Sequence, residues 1–144
     1  MKILSVVNQK GGVGKTTTSI NLSACLYKMK RRVLLVDLDP QSNATRGSGI
    51  DASMIQNSIN DVLLDRVHIE TAIMKSQFDG YDILPATPSL TESEVALVAR
   101  DEREFILKNK LTSVLSRYDY ILMDCPPSLN ILTVNSLVSA TGVL

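Results

Sequence analysis

The chain has 144 residues, 44% of them hydrophobic and 21% charged, with seven Gly and five Pro. That length is one ordinary domain able to bury roughly two thirds of its unfolded surface, and the composition excludes collagen-like, low-complexity and disordered classes. Fifteen basic residues balance fifteen acidic ones, so the chain as a whole carries no electrostatic footprint for DNA or membrane.

Residues 3–7 form a β-branched run as long as a buried parallel strand. Next comes a loop, N-Q-K-G-G-V-G-K-T-T-T over residues 8–18. Gly11, Gly12 and Gly14 let the backbone turn several N–H groups toward one anion, and the next helix adds its positive dipole end. This is a phosphate cradle. Lys15 is placed to reach the β- and γ-phosphates of a nucleotide as a point charge, and Thr16 to offer its hydroxyl to Mg²⁺. Val13 and Thr17 complete the stretch expected to touch nucleotide. A glycine turn that merely joins strand to helix is the plain alternative, and G-K-T-T between a buried strand and a helix weighs against it. The common pattern G-x-x-x-x-G-K-[ST] would need Gly at position 9, where this chain has Gln9. Lys10 is a second lysine in the loop, unfavourable beside Lys15 unless phosphate charge separates them. It is therefore expected to reach a phosphate too, on a neighbouring subunit.

Residues 15–30 lack Gly and Pro and read as a helix; the basic run Lys28-Met29-Lys30-Arg31-Arg32 reads as solvated cations complementing its C-terminal dipole. The next apolar strand, 33–36, ends in Asp37-Leu38-Asp39-Pro40. Carboxylates at i and i+2 leave an extended strand on one side. Asp39 is then placed to orient or deprotonate a water, and Asp37 to support Mg²⁺ from behind its direct ligands. Further strands are expected at 81–84, 120–123 and 142–144. The stripe Leu107, Leu111, Val114, Leu115 and Tyr118 predicts an amphipathic helix between them. The strand at 120–123 ends in Asp124, the acid a Mg²⁺-bound water needs beside such a loop, and Pro126 and Pro127 stiffen the loop after that acid.

Strands alternating with helices predict right-handed βαβ units, a parallel sheet covered on both faces, and ligands at the carboxyl ends of the strands. Asp124 can come within a water's reach of a Mg²⁺ held by Thr16 only if its strand adjoins 3–7. The expected order is therefore 81–84, 33–36, 120–123, 3–7, 142–144, all parallel. The final strand reads as one interrupted near its start, implying a longer parent protein. No apolar run approaches the roughly 18 residues of a membrane helix. Cys25 and Cys125 suggest neither disulfide nor metal site and are expected to be reduced and buried. His68 reads as a packing or surface residue; Arg46, Arg100, Arg103, Glu92, Glu94, Asp101, Glu102 and Glu104 read as solvated helix faces.

Four stretches together, K-G-G-V-G-K-T (10–16), D-L-D-P-Q-S-N-A-T (37–45), D-Y-I-L-M-D-C-P-P-S-L (119–129) and L-T-V-N (132–135), resemble the deviant Walker A ATPases of the ParA/Soj type. Residues 80–86 and 90–94 resemble that family's third strand and its flank. The resemblance implies a three-layer α/β P-loop NTPase with sheet order 3-2-4-1-5, here as the N-terminal part of one such domain over residues 1–144. It implies a cytoplasmic Mg-ATP-dependent dimer, with Lys10 as the signature lysine crossing the interface. The ATP-bound dimers would coat nucleoid DNA non-specifically, and a ParB-type partner would stimulate hydrolysis to segregate chromosome or plasmid. On this reading Lys10, Lys15 and Asp39 are catalytic. Residues Lys10 through Thr17 bind nucleotide, and Thr16, Asp37 and Asp124 serve the metal. The family's adenine- and DNA-contacting parts belong beyond Leu144. A MinD-type membrane-positioning ATPase shares the lysine and both acids, but Pro40-Gln41-Ser42-Asn43-Ala44-Thr45 looks like the partition branch, so no membrane partner is expected. A nitrogenase-reductase-like iron protein would need bridging cysteines that Cys125 lacks a partner for. A folded fragment without activity is the remaining alternative.

Overall fold

The computed structural model describes residues 1–7, 14–77 and 80–144. The elements run in chain order: β1 (Lys2–Val6), α1 (Lys15–Lys28), β2 (Val33–Asp37), α2 (Asn43–Gly47), α3 (Ile59–Leu63), α4 (Ile69–Ala72) and β3 (Met74–Lys75). Then come β4 (Asp82–Leu84), α5 (Leu90–Ala96), α6 (Ile106–Leu111), β5 (Tyr120–Asp124), α7 (Ile131–Ser139) and β6 (Gly142–Val143).

Side chains in the strands alternate between two apolar layers, as the two-residue repeat of a pleated strand requires. Ile3, Leu34, Val36, Ile121 and Met123 face a cluster with Ile59, Val62, Leu63, Leu90, Leu107, Leu111 and Leu132, from α3 to α7. Val33, Leu35, Ile83 and Leu122 face the other way, onto Ala44 and onto Ile20, Leu22 and Leu26 of α1. The fold is thus α/β in three layers, and β2 is buried at every position because it is covered on both sides. Buried serines lie on the helices that cover the sheet. Ser19 and Ser23 are the buried residues of α1, and Ser136 of α7 meets Ser5 of β1 at 2.6 Å, hydroxyl to hydroxyl.

The strand order is β3-β4-β2-β5-β1-β6. The expected five-strand parallel order is present within it, with β5 directly between β1 and β2. The sixth strand, β3, was not expected; it runs antiparallel along β4, pairing Met74 with Ile83 and Lys75 with Asp82. Register places Val6, Asp124 and Asp37 level with one another, so three strands end together at one edge.

Two details differ from the sequence reading. The 107–118 stripe is α-helical only as far as Leu111 and continues as a 3₁₀ turn over Thr112–Arg117. Leu107, Leu111, Val114 and Tyr118 are nonetheless all buried. Thr112 hydrogen-bonds its hydroxyl back to the Lys108 carbonyl, a local bond that competes with regular helix. Cys125 is buried but Cys25 is exposed, because helical phase puts it on the outer side of α1 with Asn21 and Lys28. Among the described residues, no helix is long and apolar enough to cross a membrane.

Candidate functional site

The carboxyl edge of the sheet collects the acids. Lys10, Gly11, Gly12 and Val13 of the glycine loop lie outside the described residues. Gly14, at φ +80°, holds the left-handed conformation that glycine adopts without strain, and its carbonyl accepts from the Thr18 amide at 2.8 Å to start α1. Lys15, Thr16 and Ser19 then fall on one side of the first turn. Thr16 Oγ1 donates to Asp124 Oδ2 at 2.9 Å, Ser19 Oγ donates to Asp124 Oδ1 at 2.8 Å, and Lys15 Nζ stands 3.7 Å from the same oxygen. Thr17 is exposed. Burial pushes the Asp124 carboxyl up from its ordinary value, while Lys15 and the two hydroxyls pull it back.

Asp37 is held differently. Its Oδ1 accepts from the Asp39 amide at 3.0 Å, and its Oδ2 from the Thr45 amide at 2.9 Å and the Thr45 hydroxyl at 2.7 Å. Thr45 Oγ1 also accepts from the Ala86 amide, tying α2 to the segment after β4. Complete burial raises the Asp37 carboxyl to about 7. Asp39 is 5% exposed and accepts from the Gln41 amide at 2.9 Å. Glu94 is not the solvated residue expected. It is half-buried, and desolvation together with the Asp39 charge raises its carboxyl, while Asn130 Nδ2 donates to it at 3.3 Å.

The arrangement brings Lys15, Thr16, Asp124, Asp37 and Asp39 to one edge. Sequence reading gave Ser19 no role, included Thr45 in the 37–45 stretch without one, and read Glu94 as solvated. The 15, 16, 19 spacing placed Ser19 on the same helical face as Lys15 and Thr16; the other two take their partners from distant positions.

The donor set suits a hard cation. Thr16 donates its hydroxyl hydrogen bond to Asp124, which leaves the oxygen lone pairs free, and Asp39 and Asp124 are close enough for one charge to raise the other's carboxyl. Among the described residues no cluster of three or more His, Cys, Asp or Glu forms a cage. Magnesium held chiefly through phosphate oxygens needs none.

A family model described as an AAA domain matches residues 1–144, the full length of the chain. The chain belongs to this AAA domain family. Its ParA/Soj-type character is borne out by named relatives. It is 47% identical over 143 residues to the sporulation initiation inhibitor protein Soj of Bacillus subtilis, covering 99% of the chain and 56% of that relative. It is 48% identical to the chromosome partitioning protein ParA of Myxococcus xanthus, covering 99% and 50%. A crystal structure of cobyrinic acid a,c-diamide synthase from Mycobacterium smegmatis with bound ADP and magnesium superposes with a TM-score of 0.96 at 42% identity, covering 99% and 58%. This AAA domain chain therefore spans about half the length of the curated relatives it matches.

Proposed function

We propose that these residues form the phosphoryl-transfer half of a Mg-ATP-dependent partition ATPase of the ParA/Soj type, acting within a protein of its relatives' length. The observation that carries this reading is the convergence of Lys15, Thr16 and Ser19 on Asp124, level with Asp37 on the neighbouring strand. The names of the relatives and the ADP and magnesium in the M. smegmatis structure support it.

In this reading ATP is the substrate, cradled by Lys10, Gly11, Gly12, Val13, Gly14, Lys15, Thr16 and Thr17. Magnesium, when bound, supplies charge neutralisation at the β- and γ-oxygens. Lys15 leaves its contact with Asp124 to bind those phosphates. Thr16 would offer its lone pairs to the metal while its hydroxyl goes on donating to Asp124, so the hydroxyl is oriented before the nucleotide arrives. Asp39 orients the attacking water, and Asp37 holds the β2–α2 turn that aims Asp39. Lys10 completes the site of a partner subunit across a dimer. Val95 and Leu129 are 78% and 65% exposed and are the sequence neighbours of the Glu94–Asn130 pair, which gives such a dimer an apolar contact beside the site. Non-specific DNA binding, stimulation by a ParB-type partner, and a cytoplasmic, nucleoid-associated location complete the reading and belong to the whole protein.

The test uses the full-length protein. Lys15→Ala abolishes nucleotide binding; Asp39→Ala keeps binding and lowers hydrolysis by roughly 10²–10⁴-fold, the usual weight of a positioned base. Lys10→Ala binds ATP but does not dimerise on a non-hydrolysable analogue, as read by light scattering. Normal turnover in Asp39→Ala, or binding to lipid vesicles in place of DNA, overturns the reading.

A further inference from the structure

We propose that the opposite edge of the sheet carries a second anion site, shaped for a nucleoside polyphosphate. A cavity of about 540 Å³ opens there, between the end of α1 and the starts of β2 and β4. Its described lining holds six cations, Lys28, Lys30, Arg31, Arg32, Lys75 and Arg117, against one carboxylate, Asp82. Two of the six are already matched. Arg32 Nη2 pairs with Asp119 at 2.9 Å, and Lys75 pairs with Asp82 at 2.8 Å, which also accepts from the Tyr118 hydroxyl. Among the described residues, Lys28, Lys30, Arg31 and Arg117 have no ion pair. The solvated face read from the sequence is therefore part of a concave wall, because the fold brings Arg117 and Lys75 to the same opening from distant positions.

The backbone maintains this charge against its own preference. Lys30 sits at φ +65° where α1 ends, with its amide bonded to the Tyr27 carbonyl and that of Arg31 to the Leu26 carbonyl. Glycine is the usual residue in that conformation. A lysine there puts a cation at the cavity mouth instead.

The walls between the cations are aromatic. Tyr27 is 41% exposed and lies over Gly80, whose missing side chain makes room for the ring: a Cβ there would come 2.9 Å from it. Arg117 sits 5.8 Å from the centroid of the Tyr118 ring. Cations outside any close ion pair suit phosphates, the exposed Tyr27 ring suits a planar base, and the volume falls within the roughly 300–1,000 Å³ of small-molecule sites. Concavity of this size favours a mononucleotide over a duplex. The site is independent of the partition reading.

The test is made in the Lys15→Ala chain, so that the glycine loop does not contribute. Equilibrium dialysis with GTP is expected to show one saturable equivalent, with tripolyphosphate competing but binding more weakly. Lys30→Glu with Arg31→Glu, both at exposed positions, should weaken GTP and tripolyphosphate alike by tenfold or more. Tyr27→Ala should weaken GTP and leave tripolyphosphate unchanged, separating recognition of the base from recognition of phosphate. Circular dichroism confirms that each variant is folded. No saturable GTP binding, equal binding by the charge-reversed chain, or binding of duplex DNA without GTP each overturns the proposal.

Discussion

Asp37 and Asp124 are register partners on adjacent parallel strands, yet their carboxylates are held by different helices, Asp37 by Thr45 of α2 and Asp124 by Thr16 and Ser19 of α1. Two acids that would repel if left bare are thereby kept apart in their bonding. Each can respond to its own helix.

The Asp37 carboxyl makes stability depend on pH. Below about 3.8 it is protonated in both folded and unfolded chains; from there to about 7 only the folded chain keeps the proton. Unfolding releases that proton, so stability declines with rising pH across this window, by up to about 1.4 kcal/mol per unit, and levels off above it. Denaturant midpoints of the nucleotide-free protein between pH 5 and 8.5 should show the decline. Asp37→Asn, which cannot ionise, should flatten it.

Thr45 joins three segments through one hydroxyl. Thr45→Val removes a donor to a buried carboxylate and leaves the Ala86 amide unmatched, and should destabilise by about 2–4 kcal/mol. Thr45→Ser keeps the hydroxyl and should lose about 1 kcal/mol. Urea unfolding of the two variants checks the difference.

Ser19→Ala removes one of the two hydroxyls that donate to Asp124. The buried carboxylate loses one of its donors, and the fold should be destabilised by about 1–2 kcal/mol. Urea unfolding of the variant beside the parent chain measures it.

Lys30→Gly relieves the left-handed conformation at the end of α1 and should stabilise the fold by about 0.5–1 kcal/mol, or roughly 2–4 °C in Tm. A Tm unchanged or lowered would show that the lysine backbone is not strained.

Apolar strands that end in acid were legible because each carried its signal within five or six residues, and the adjacency of β5 to β1 came from what Asp124 must reach. Strand β3 was not legible: two residues carry no alternation, and Met74 is a strand residue only because Ile83 stands opposite. Thr45 and Glu94 were equally silent, since a hydroxyl or a carboxylate takes its meaning from partners 8 and 36 positions away. The Lys28–Arg32 run was visible, but its concavity comes from Lys75 and Arg117, which only the fold brings near it.

The position of β5 also sets the order in which the molecule can be assembled. β1 and β2 are consecutive strands in the sequence but are not neighbours in the sheet; the strand between them arrives more than a hundred residues after β1. Until then α1 has no continuous surface to dock on, and Thr16 and Ser19 have no carboxylate to meet. Pairings of such long sequence separation form slowly. As the chain leaves the ribosome, β1 waits unpaired and β2 has only β4 beside it until β5 arrives, so the phosphate edge is completed near the end of synthesis of these residues.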